Sequence, residues 1–182
     1  MGRKTLPKKK IDMILKKIEG KAKETLDTIG IKTIPIPVEE IASKLNIKIS
    51  RGPSKDFSGL LIRKDGSALI GVNNSEVPVR QRFTIAHELG HYFLHPQKDT
   101  FVDYRDNKEG DHKEKVTRTP REREADMFAA ALLMPSEQIE KDFRSIITKR
   151  GFTEDELEAL AQRYQVSEKA MRFRLLNLNL KN

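Results

Sequence analysis

Residues 82–95 read RFTIAHELGHYFLH, and the five residues His87-Glu88-Leu89-Gly90-His91 within them constrain the fold more than any other stretch. Two histidines four apart reach the same ion only if the backbone between them is helical, because i and i+4 lie one turn apart on one face. Phe83, Ala86, Leu89, Gly90 and Phe93 supply a core-facing set at helical spacing around them. The segment from Pro78 to about Leu94 is therefore expected to be a buried helix with two imidazoles on one face and a carboxylate, Glu88, beside them.

The chain has no cysteine, so disulfides, thiolate metal sites and cysteine nucleophiles are excluded together, and a metal must be held by histidine and carboxylate. A catalytic zinc site uses three protein ligands and keeps a fourth position open. Zinc lowers the pKa of water toward neutrality, and Glu88 is placed to act as general base. His95 is not the third ligand, since it lies ~12 Å along a straight helix from His87. A carboxylate on a second helix is the better solution. Thr119 followed by Pro120 is a helix start opening REREADMFAAALLM, with Glu122 and Glu124 as the acids. These two project about 200 degrees apart, so one of them faces the ion. Asp126 shares a face with Glu122 and is placed to hold a histidine through its second ring nitrogen, which favours Glu122. Zinc is the expected metal, and a site of two histidines and a glutamate also admits manganese.

The remaining organisation follows from periodicity and turn chemistry. Ile11, Ile14, Leu15, Ile18, Ala22, Leu26 and Ile29 recur at helical spacing up to Gly30. Pro37 opens a second helix over VEEIASKL. Strands are expected at 47–50, 57–63 and 68–72, the last two joined by an Asp65-Gly66 turn. Residues 96–119 read as a long polar loop holding two candidates for the oxyanion-stabilising donor, Tyr104 and His112, with Tyr92 and His95 as further possibilities. Thr153 and Glu156 form a capping-box pattern, and Ser167 is a cap for the last helix.

The net charge of +8 is concentrated, not spread: residues 1–23 hold nine Lys or Arg against Asp12 and Glu19, which is +7 of the total. Such an arm reads as a solvated tail or helix face sooner than as a nucleic-acid footprint. The C-terminal run ELEALAQRYQVSEKAMRFRLLNL is helix, turn, helix, and Ser167, Lys169, Arg172 and Arg174 invite a DNA-binding reading. Against it, Ala170, Met171, Phe173, Leu175, Leu176 and Leu178 are core-type, and residues 150–182 are only +1 net. Packing on the rest of the chain or gripping a protein substrate is the expectation. No apolar run approaches the ~20 residues of a membrane span, and no signal-type stretch follows the N-terminus, so a soluble, cytoplasmic protein without a membrane partner is expected.

With RFTIAHELGHYFLH (82–95), EREADMFAAALLMP (122–135), PIPVEEIASKL (35–45) and LAQRYQVSEKAMRFRLLNL (160–178), the sequence resembles the ImmA/IrrE metallopeptidases. That resemblance implies zinc on His87, His91 and Glu122, Glu88 as base, and a helix-turn-helix repressor of the Xre type as the protein cleaved. The implied fold is α+β and zincin-like, mainly helical, with a small antiparallel sheet over 46–72 and a helix-turn-helix-like C-terminal segment. The expected division is a basic flexible tail over 1–10, a zinc peptidase domain over 11–135, and a helical subdomain over 136–182 packed on it. The 57–72 hairpin is expected to offer an exposed edge near the metal, to which an extended substrate backbone would pair.

Overall fold

The computed structural model describes residues 8–104, 119–146 and 152–180. Among them are seven helices and four strands, a mixed α+β architecture. The first helix, α1 (Lys8–Ile29), begins inside the stretch read as a basic tail and ends at Gly30, whose φ of 77° an L side chain adopts only with strain. It buries Ile18, Ala22 and Leu26 and leaves Lys10, Lys16, Lys17 and Lys23 exposed. A short helix, α2 (Val38–Lys44), follows Pro37 and leads into β1 (Ile47–Gly52).

β2 (Phe57–Lys64) and β3 (Ser67–Asn73) form the expected hairpin. Asp65 and Gly66 take φ of 50° and 76°, as a two-residue turn with the twist of the flanking strands requires. The sheet is nevertheless mixed, not antiparallel: its strand order is β1-β3-β2-β4, and β1 runs parallel to β3. The fourth strand, β4 (Thr100–Tyr104), lies in the segment read as a loop and pairs antiparallel with β2. Because β4 occupies the outer edge of β2, β1 pairs with β3 instead, and two successive chain reversals make that pairing parallel. Asn73 secures the connection from β1 to β2. Its side chain accepts from Ser54 N at 3.1 Å and donates to Ser54 O at 2.8 Å and Phe57 O at 3.1 Å.

This order corrects the expected edge. Both sides of the 57–72 hairpin are covered, β3 by β1 and β2 by β4, so the sheet edge on the β2 side belongs to β4. The miss has a local cause: five residues flanked by polar sequence carry little periodicity, and β4 owes its strand form to pairing with β2.

Helix α3 (Pro78–Leu94) packs on β2 and, on its other side, against α4 (Pro120–Leu133). The two helices meet at Gly90 and Ala125, where a methyl group on Gly90 would fall 3.0 Å from both Ala125 Cα and its carbonyl oxygen. Close approach thus rests on Gly90 and Ala125; Ala129 is buried further along α4.

The chain continues through α5 (Ser136–Ile146), α6 (Glu154–Tyr164) and α7 (Glu168–Asn177). Thr153 and Glu156 make the full capping box, and Ser167 accepts from Ala170 N. Leu157, Tyr164, Met171 and Leu175 of these last helices join one continuous apolar cluster with Leu26 of α1 and Phe128 of α4. Tyr164 donates to Asp142 at 2.7 Å, and burial with that contact holds its hydroxyl protonated. Arg174 is only 4% exposed. It donates to Met134 O at 2.9 Å and pairs with both oxygens of Glu19, tying α7 to the end of α4 and to α1. Among the described residues, no helix is long and apolar enough to cross a membrane.

Candidate metal centre

Helix α3 presents His87 and His91 on one face, both 1% exposed, and α4 brings Glu122 against them from its first turn. That turn is set by Thr119, whose hydroxyl accepts from Glu122 N at 3.2 Å, and by Pro120 behind it. His87 Nε2 stands 3.1 Å from His91 Nε2 and 3.1 Å from Glu122 Oε2, and His91 Nε2 stands 3.3 Å from the same oxygen. Three ligand atoms at such separations form one face of a small tetrahedron. Bonds of ~2.0–2.1 Å to a tetrahedral zinc put ligand atoms ~3.4 Å apart, close to these edges.

The donor set fits a cation by a second observation. Two imidazole nitrogens and a carboxylate oxygen converge on one point, the two histidines fully buried, an arrangement that a shared positive charge satisfies. His87 Nδ1 donates to Asp126 Oδ1 at 3.0 Å, which directs Nε2 at the centre. Burial opposes protonation of His87, but Asp126 and Glu122 outweigh it and push the imidazole up to about 10 in the metal-free state. Burial lowers the pKa of His91. Glu122, despite desolvation, is held well below the usual carboxylate range by its hydrogen bonds to both histidines.

Glu88 is fully buried beside the pair, and neither carboxylate oxygen has a hydrogen-bond partner. Burial pushes its pKa up to about 8; His87 pulls it down, while Asp103 and Glu122 push further up. A buried, unpartnered carboxyl with so perturbed a pKa, next to a metal-type cluster, marks Glu88 as a candidate functional group. The space for it comes from Gly59 on β2, where any side chain would meet Thr84 and Glu88.

The other sequence candidates separate. Glu124 points away from the cluster and lies 3.7 Å from His95 Nε2. His95 donates to Arg121 O at 3.2 Å, near the helix end. Tyr92 carries the guanidinium of Arg63 over its ring. Tyr104 is 67% exposed at the end of β4, and His112 lies outside the described residues. Of the α7 set, Ser167 is a cap, Arg174 is internal, and Lys169 and Arg172 are exposed, Arg172 in a pair with Glu154.

Four residues near the centre were not singled out by sequence. Phe101 of β4 stacks on the His91 ring, 4.0 Å between centroids and 17° between planes. Asp103 pairs with Arg80 at 3.3 Å. Arg63 of β2 donates to His91 O at 3.0 Å, Tyr92 O at 2.8 Å, His95 O at 3.3 Å and Lys98 O at 2.6 Å, tying the end of α3 and the segment after it to the sheet. Gly59 is the fourth, and a glycine inside a strand pattern is the signal that marks it. The β-type run TFVDY is a weaker signal for Phe101 and Asp103; nothing in the sequence flags Arg63.

Comparison with known proteins gives the family. Residues 42–176 match the IrrE N-terminal-like domain of the M78 peptidases. The radiation response metalloprotease IrrE of Deinococcus deserti is 40% identical over 99 residues, which is 54% of this chain and 32% of that protein. Its namesake in Deinococcus radiodurans is 37% identical over 99 residues, 54% of this chain and 28% of that protein. The chain thus spans about a third or less of these two relatives. The metallopeptidase ImmA of Bacillus subtilis is 28% identical over 144 residues, 79% of this chain and 77% of that protein. With the domain match extending from α2 through the metal-ligand helices to α7, this chain belongs to the IrrE N-terminal-like domain family.

Proposed function

We propose that the chain is a zinc-dependent endopeptidase of the gluzincin type, His87, His91 and Glu122 holding the metal and Glu88 acting as general base. The observation that carries this is the buried, unpartnered Glu88 carboxyl beside a three-ligand triangle. A structural metal site needs no acid there, and one held buried without hydrogen bonds is costly unless it has a task. The names of the relatives, two metalloproteases and a metallopeptidase, support the same reading.

A divalent cation bound here supplies Lewis acidity, polarising a scissile carbonyl and acidifying water. Glu88 takes the proton from the attacking water and delivers it to the departing amine. Asp126 holds His87 in the tautomer that offers Nε2, and Arg63 fixes the end of α3 that carries His91. The β4 edge runs beside the centre through Phe101, and it is the strand along which we place an extended substrate backbone.

The substrate we propose is a helix-turn-helix repressor of the Xre type, cleaved at one site, so that mobile-element or stress-response genes are released. The setting is the cytoplasm, and the α6–α7 pair is a helix-turn-helix-like element used for packing or for gripping that substrate, not for reading DNA. The test is to incubate the zinc-loaded protein with the repressor encoded beside its gene and follow cleavage by mass spectrometry. A single cut that vanishes with Glu88→Gln, at unchanged zinc content, is the expected result; cleavage retained by the variant would remove Glu88 from the base role.

A further inference from the structure

Resting on the metallopeptidase reading, we infer that a cationic pocket beside Glu122 is a subsite for an acidic side chain, Asp or Glu, of the peptide substrate. The pocket encloses about 250 Å³ and is lined by Lys98, Phe101, Thr119, Pro120, Arg121 and Glu122. It shares Glu122 with the metal triangle, and Phe101 with the stack on His91. Whatever occupies it therefore lies against the ligand set itself.

Charge gives the pocket its chemistry. Among the described residues, neither Lys98 nor Arg121 is paired with a carboxylate; the Lys98 ammonium sits over the Phe101 ring, 4.6 Å from its centre. Other cations around the motif helices are spent. Arg80 pairs with Asp103 and Glu76, Arg63 caps four carbonyls, and Arg82 donates to Ile36 O and Gln165 O. The one carboxylate in the wall, Glu122, directs its Oε2 at both histidines, and Glu124 is turned to His95.

Both cations are also anchored at their backbones. Arg63 of β2 donates to Lys98 O at 2.6 Å, and His95 at the end of α3 donates to Arg121 O at 3.2 Å, so each backbone is held by a contact from another element. Phe101 and Pro120 offer apolar walls for the methylenes of an Asp or Glu, with the two cations for its carboxylate. A peptide extended along β4 carries alternate side chains toward one face, which gives it a route to present such a residue.

The experiment uses the zinc-loaded chain and calorimetry. Acetohydroxamate, which chelates a metal and carries no side chain to enter the pocket, tests the underlying reading in the wild type. A set of alanine-based peptide hydroxamates then carries Glu or Gln at one of three positions beside the hydroxamate. At one position Glu should bind about five- to tenfold tighter than Gln, the gain of two partly exposed ion pairs. In the Lys98→Gln/Arg121→Gln double variant, which alters two exposed side chains, that preference should fall to within about twofold with zinc content equal to wild type. Absence of a Glu preference at every position, or its survival in the double variant, would overturn the subsite. Failure of acetohydroxamate to bind would instead overturn the metallopeptidase reading and the subsite with it.

Discussion

Gly59 of β2 lies directly over Glu88 of α3: a methyl group at Gly59 would fall 3.0 Å from Glu88 Oε1 and 2.3 Å from Thr84 Cγ2. The strand comes this close to the helix only because position 59 has no side chain. Gly59→Ala is expected to push Thr84 and Glu88 aside, destabilising the fold by ~1–3 kcal/mol, as overpacking in a dense core does. Peptidase activity should fall more than zinc content, since the displaced group is the base and not a ligand. Thermal melts, metal analysis and turnover on the same preparation check this, and an alanine variant with wild-type rate would show that Glu88 has room to move.

The opposed directions of Glu122 and Glu124 give a second prediction. Glu122→Ala removes one of three ligand atoms, so zinc retention after dialysis should be lost together with cleavage. Glu124→Ala gives up only a contact to His95 at 3.7 Å and should keep both. Asp126→Asn, which weakens the anchor of His87, should lie between them, with metal affinity lowered ~10–100-fold. Zinc per chain by mass spectrometry decides the order.

Metal-free protein should become less stable than its Glu88→Gln variant as pH rises. Burial lifts the Glu88 pKa from 4.5 to about 8 in the folded state. Its favourable contribution is complete below the unfolded value and is lost as pH climbs toward 8, because the unfolded chain ionises first. Glutamine does not titrate. The margin in favour of the variant should therefore widen between pH 5 and pH 8, by up to ~4 kcal/mol. Urea melts in the presence of a chelator measure it, and a margin independent of pH would show that Glu88 ionises freely.

Arg63 makes the fourth case. Its guanidinium meets four carbonyls in the last turn of α3 and the segment just after it, a geometry that the single, shorter-reaching ammonium of lysine cannot reproduce. Arg63→Lys should cost ~1–2 kcal/mol and Arg63→Ala ~2–4 kcal/mol, with metal affinity falling in the same order as His91 loses its backbone support. Denaturant melts with and without zinc test the link; equal metal affinity in all three proteins would confine Arg63 to a purely structural cap.

Much of the centre was legible from spacing. His87, Glu88 and His91 sit within one helical turn, where 3.6-residue geometry places side chains without knowledge of the fold, and Glu122 was separable from Glu124 by the same geometry together with Asp126. Caps at Thr119, Thr153 and Ser167 and the Asp65-Gly66 turn are equally local, since each depends on hydrogen bonds or φ values within four residues. What sequence could not supply is whatever depends on contacts between distant segments. The strand at Thr100–Tyr104 exists through pairing with β2, the parallel placement of β1 follows from that edge being taken, and Arg63 finds its four carbonyls some thirty residues further along the chain. The sequence by itself therefore determined which side chains meet within a helix turn; tertiary structure alone decided which strand edges, glycine and cations surround them, because those pairings are selected by packing across the core and not by any local period.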